Sequence, residues 1–74
     1  MRQRVADMLK TQAEAERQKA LLSLELLMDY AVGIGDHSTG DFYKNAEEAL
    51  QALVDADDKI ETLDRYFSSD VLAE

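Results

Sequence analysis

One stretch of this sequence holds residue types that could bind a metal. Asp36 and Asp41 flank His37, the single histidine, within Gly33-Ile34-Gly35-Asp36-His37-Ser38-Thr39-Gly40-Asp41. An imidazole with two carboxylates suits a hard or borderline divalent ion. The spacing does not follow the residue types. A calcium loop takes ligands at alternate positions over about twelve residues and closes with a bidentate Glu, and this run has neither feature. A turn is the simpler assignment, with Asp36 and Ser38 accepting bonds from nearby backbone N–H groups and His37 in water. A Glu-x-x-His step inside a helix would suggest a di-iron bundle, but the only histidine lies in this loop.

A second cluster, Asp55, Asp57, Asp58, Glu61 and Asp64, could bind a cation or a basic partner. Acid–base catalysis by paired carboxylates needs a pocket that drives their pKa values apart, and so short a helical chain has little room for one. A solvated face paired with basic residues elsewhere accounts for these acids. Arg2, Arg4 and Lys10 could touch phosphate, yet no aromatic is interleaved with them and an ordinary basic helix end explains them. Tyr30, Tyr43 and Tyr66 suit positions where a ring packs and its hydroxyl stays wet. Cysteine is absent, so there is no thiolate nucleophile, zinc site or disulfide. Nucleophile elbows, phosphate-binding glycine loops and nucleotide fingerprints are absent too. No enzyme, cofactor or metal is expected.

These residues are positioned by helices. From Phe42 to Phe67 the apolar residues fall at Phe42, Ala46, Ala49, Leu53, Ala56, Ile60, Leu63 and Phe67. The steps alternate four and three, which keeps one stripe facing a partner helix in the manner of a coiled coil. No Gly or Pro interrupts the run. Residues 2–32 also lack both and read as a first helix. Its first half is thinly apolar. In its second half Ala20, Leu24, Leu27 and Ala31 repeat the seam spacing, while Leu22 and Leu26 form an i, i+4 pair roughly on the opposite side. A helix that is apolar all round is buried all round, which two helices alone cannot achieve.

Gly33 suits a left-handed C′ residue with Ile34 folding back on the helix. Ser38 with Asp41 resembles a capping box, with Thr39 as the competing N-cap and Gly40 weakening the first turn. So short a connection makes the helices antiparallel neighbours. Folding at residues 36–37 sets residue i opposite residue 73 − i, bringing Lys10 and Arg17 beside Asp57, Asp58, Glu61 and Asp64. Exposed pairs of this kind select register more than they supply stability.

Seventy-four residues allow one small domain, which usually needs a staple or a partner. Net charge is −8. Residues 1–19 carry five basic and three acidic groups, or +2; residues 20–74 carry three basic and thirteen acidic, or −10. A nucleic-acid binder shows the opposite balance, so direct nucleic-acid binding is not expected. The N-terminus lacks the apolar core of a secretory signal, because Asp7, Lys10 and Gln12 interrupt it. The most apolar window, residues 20–34, contains Glu25 and Asp29 and is shorter than the ~20 residues of a membrane span. A cytoplasmic protein is expected.

The segments Val32-Gly33-Ile34-Gly35-Asp36-His37-Ser38, Asp41-Phe42-Tyr43 and Ala56-Asp57-Asp58-Lys59-Ile60-Glu61-Thr62-Leu63 resemble short helical-hairpin proteins of large tailed phages that infect marine bacteria. The resemblance spans most of the chain and implies a phage accessory protein in the host cytoplasm. It implies no activity and no functional residue.

The sequence therefore predicts an all-α antiparallel two-helix hairpin: helix 2–32, turn 33–38, helix 39–68 and a frayed tail 69–74. Its seam is expected to use Leu24, Leu27, Phe42, Leu53, Ile60, Leu63 and Phe67. Leu22 and Leu26 are expected to join a second copy into a four-helix bundle dimer. The expected role is a non-enzymatic accessory protein that binds itself or another protein. The alternative is an acidic nucleic-acid mimic that inhibits a host DNA- or RNA-binding protein. If the His37 loop is only a turn, zinc, manganese or calcium at micromolar concentration will leave the melting temperature and the His37 ring resonances unchanged. Stabilisation by one of these ions, abolished by His37→Ala, would make the loop a metal site.

Overall fold

Two helices of equal length, α1 (Arg2–Tyr30) and α2 (Thr39–Phe67), pack against each other in a computed structural model. The structure describes residues 1–30 and 39–68. The expected turn at 33–38, the Gly33 and Ser38 caps, and the tail at 69–74 lie outside the described residues. The chain is an all-α hairpin measuring 55 × 17 × 13 Å, a rod two helices wide and one helix deep.

α1 begins with the Val5 amide donating to the Met1 carbonyl at 3.1 Å. Its first turn carries Arg2 and Arg4 and no acidic residue, the unfavourable arrangement for a helix dipole. The side-chain bond from Gln3 Nε2 to Asp7 Oδ1, 2.8 Å, supports that weak end. α2 is arranged the other way, with Asp41 in its first turn and Arg65 in its last, each complementing the dipole. Arg65 also bonds Glu61 at 3.0 Å, one turn back.

The seam is built on small residues. Among the described residues the buried positions are Ala6, Ala13 and Ala20 on α1 and Ala49, Ala56 and Ile60 on α2. The alanines recur every seventh residue on each helix, and Ala56 and Ala13 are 0% and 1% exposed. A methyl group at each repeat lets two helix backbones approach closely, since interaxial distance follows the size of the side chains between them. On α1 the expected Ala20–Leu24–Leu27 stripe runs back, with the same four–three steps, through Arg17, Ala13 and Lys10 to Ala6. The first half of α1 is thinly apolar, yet it supplies two of the six buried residues among those described, Ala6 and Ala13.

The larger seam residues flank these alanines. Leu24, Leu27, Phe42, Leu53 and Leu63 are half-buried and Ile60 is buried. Phe67 differs from the expected seam set in being 41% exposed. It lies at the open end near Gln3, Ala6 and Asp7, which are too small or too polar to cover a ring.

Three ion pairs tie the helices in antiparallel register: Lys10–Asp64 at 2.7 Å, Arg17–Asp57 at 3.8 Å and Glu16–Lys59 at 3.0 Å. Residue i of α1 thus lies beside residue 74 − i or 75 − i of α2, within two residues of the expected 73 − i. Lys10–Asp64 and Arg17–Asp57 repeat at seven residues along one edge of the seam. Glu16 is rotated by about 100° from Arg17 and meets Lys59 along the other edge.

A close seam of methyl groups has opposite responses to loss and gain of volume. Ile60→Ala is expected to cost about 2–5 kcal/mol through lost burial and a cavity. Ala56→Leu, although more apolar, is expected to cost about 1–3 kcal/mol because the backbones must separate. Thermal or urea melts of the two variants measure both, and a stabilising Ala56→Leu would show that the helices are not in close contact there.

Candidate functional site

Of the loop candidates, Asp36 and His37 lie outside the described residues. Asp41 is an exposed first-turn residue of α2. Among the described residues no group of three His, Cys, Asp or Glu side chains is placed to hold a metal ion. The acidic cluster is spread over α2 and largely engaged. Asp57 and Asp64 pair with α1, Glu61 pairs with Arg65, and Asp55 Oδ1 accepts from Gln51 Nε2 at 2.9 Å. Tyr43 and Tyr66 are exposed, and the Tyr43 ring meets that of Phe42 edge to face at 5.8 Å. Arg2 and Arg4 are exposed at the open end, and Lys10 is engaged by Asp64.

The hydrogen bond from Lys10 to Asp64 raises the Lys10 pKa, and the Asp64 charge adds to the effect. An open groove of about 400 Å³ runs between the helices, with Leu9, Ala13 and Leu63 in it and the Glu16–Lys59 pair at its side. It lies open to solvent, and Glu16 and Lys59 at its side are paired to each other. No helix of the described residues is long and apolar enough to cross a membrane.

Exposed apolar side chains are the surface's main feature. Leu22 and Leu26 are 57% and 48% exposed, on the side of α1 away from α2. They continue a stripe that sequence reasoning overlooked. Met1, Val5, Met8, Gln12, Ala15, Lys19, Leu22, Leu26 and Asp29 follow one another in unbroken four–three steps, and every one is exposed. That spacing was readable in the sequence; Gln12, Lys19 and Asp29 concealed it by interrupting the apolar character.

A second apolar area flanks the seam toward the loop end. Arg17, Leu21, Leu24 and Met28 share one stripe of α1, and Tyr43, Leu50, Val54 and Asp57 share one stripe of α2. The Arg17–Asp57 pair bridges the two stripes, so both border the same edge of the seam. Met28, Tyr43, Leu50 and Val54 are exposed there.

Comparison with family models, characterised proteins and solved structures finds no match to this chain.

The Lys10–Asp64 bond has a consequence for pH. A raised folded-state pKa means the pairing contributes fully below the ordinary lysine value of 10.5 and is lost as pH rises through the higher folded value. NMR titration of Lys10 is expected to show an inflection above that of free lysine, returning to the ordinary value in Asp64→Asn. An inflection unchanged by that substitution would show that the pair does not form in solution.

Proposed function

We propose that this chain is a small non-enzymatic interaction protein whose hairpin is completed by a second copy of itself. The observation that carries this is the contrast between what the hairpin buries and what it leaves out. Inside are five alanines and one isoleucine, while Leu22, Leu26, Met8, Leu50 and Val54 face solvent. Each large aliphatic left in water forgoes about 1.5–3 kcal/mol of burial. With no cysteine for a disulfide and no metal-holding cluster among the described residues, so small a core is marginal by itself. A two-fold pair sets one apolar patch against its own copy and closes the assembly. A rod one helix deep also offers open grooves rather than a water-excluding pocket, which supports a binding role over a catalytic one.

Leu22 and Leu26 are our candidates for that contact. Because they face away from α2, joining two hairpins through them puts the two α1 helices at the centre of a four-helix assembly. The acidic-mimic alternative needs a free carboxylate face, and the pairing of Asp57, Asp64 and Glu61 within the chain favours self-association instead. The phage-type resemblance of the sequence fits an accessory protein acting in a host cytoplasm, and we include that setting in the proposal.

Sedimentation equilibrium at tens of micromolar is expected to give the mass of two chains. Because the pair carries a charge of −16, from −8 per chain, raising salt should strengthen it by screening the repulsion. Leu22→Glu combined with Leu26→Glu is expected to give a poorly helical monomer. A wild-type chain that sediments as a fully helical monomer would refute the proposal.

A further inference from the structure

The outer stripe of α1 defines how the second copy sits. We propose that two α1 helices pair antiparallel through this stripe, with residue i of one copy facing residue 27 − i of the other. The arrangement deepens the self-association proposed above and holds only if that association occurs.

The register follows from where the apolar residues fall. Reflecting the stripe about a point between Ala13 and Glu14 maps its first eight members onto one another. Met1 meets the partner's Leu26, Val5 meets the partner's Leu22, Met8 meets the aliphatic stem of the partner's Lys19, and Gln12 meets the partner's Ala15. This is the layer pattern of an antiparallel coiled coil, in which each kind of core position faces the other kind. Every pair occurs twice about the two-fold axis. Lys19 can lay its methylenes on Met8 and keep its ammonium in water.

The neighbouring registers are worse. A shift by seven residues to 34 − i sets Val5 against Asp29 and Gln12 against Leu22. The opposite shift, to 20 − i, leaves Leu22 and Leu26 outside the contact. A parallel pair sets Lys19 against Lys19 and Asp29 against Asp29, and so joins like charges.

Charge complementarity independently selects the same antiparallel register. Arg4 and Glu25 flank the stripe on the same side, Arg4 beside Val5 and Glu25 beside Leu26. In the 27 − i register Arg4 of each copy lies next to the partner's Glu25. Both residues are exposed, and neither bonds another described residue within its own chain. The basic first turn of α1, unfavourable to its own helix dipole, thereby acquires a reason: it supplies the cation that meets the acidic second half of the other α1.

Charge reversal tests this in the full chain. Sedimentation equilibrium is run on the wild type, Arg4→Glu, Glu25→Arg and the double variant, with helicity followed by circular dichroism. Each single reversal turns two attractions into two repulsions and is expected to weaken the dimer by about tenfold, while the double variant restores it to near the wild-type value. Arg4→Glu improves the dipole of its own helix, so a weaker dimer with undiminished monomer helicity cannot be attributed to unfolding. A dimer indifferent to the single reversals, or not restored in the double variant, overturns the register and leaves self-association standing. A dimer dissolved by Leu50→Glu with Val54→Glu but not by the reversals places the second copy on the other apolar area and overturns it as well. A monomeric wild type overturns both proposals.

Discussion

Close approach of two helices along alanines spaced by seven residues is the constraint on which the rest of this structure depends. Ala6, Ala13 and Ala20 face the α2 seam that contains Ala49 and Ala56, and among the described residues Ile60 is the one larger side chain that is buried. A methyl group contributes little burial by itself, about 0.8 kcal/mol on the usual scale. Its value is steric, because it brings the two backbones and the half-buried leucines on either side into contact. Leu22, Leu26, Met8, Leu50 and Val54 lie off this seam and remain exposed.

Electrostatics then choose among the ways such a seam can align. A heptad stripe of small residues fits itself in several registers related by shifts of one repeat. Lys10–Asp64 and Arg17–Asp57 on one edge, with Glu16–Lys59 on the other, satisfy one antiparallel register at three points. Exposed pairs contribute little to stability, but a shift by seven residues would leave one such pair in place of three, Lys10 with Asp57 or Arg17 with Asp64. The uneven charge along the chain, +2 in the first nineteen residues and −10 in the rest, thus becomes a device for alignment. Charge also has a role between chains under our proposal, where Arg4 and Glu25 would do for two copies what Lys10 and Asp64 do within one.

The groove between the helices of this rod is open to solvent, and four of the five acids in the 55–64 cluster are engaged within the chain. What it presents is faces: an apolar stripe along the outside of α1 and an apolar area around Leu50 and Val54. Faces of this kind suit assembly. A chain with a core of six mostly small residues gains from a partner both stability and a defined shape, which links the architecture to the role we assign it.

The sequence by itself determined that there are two helices, where they run and that they fold back on each other. Those features depend on local properties: an absence of Gly and Pro over long stretches, good helix formers, one glycine-rich break, and regular spacing on α2. It also made the cross-helix pairing of Lys10 and Arg17 with α2 acids legible, because antiparallel folding follows from a short connection. For the second half of α1 the sequence offered the inside face, through Ala20, Leu24 and Leu27; that the same face continues through Ala6 and Ala13 in the first half was not legible. Four–three steps pass through Ala6, Lys10, Ala13 and Arg17, and equally through Met1, Val5, Met8 and Gln12, and the second stripe is the more apolar of the two. By hydrophobicity alone, small Ala6 and Ala13 carry little signal as core residues and Phe67 carries a strong one. Only the packed pair of helices decided otherwise, because closeness of approach depends on how small two facing side chains are together, and no residue of one helix carries that information alone.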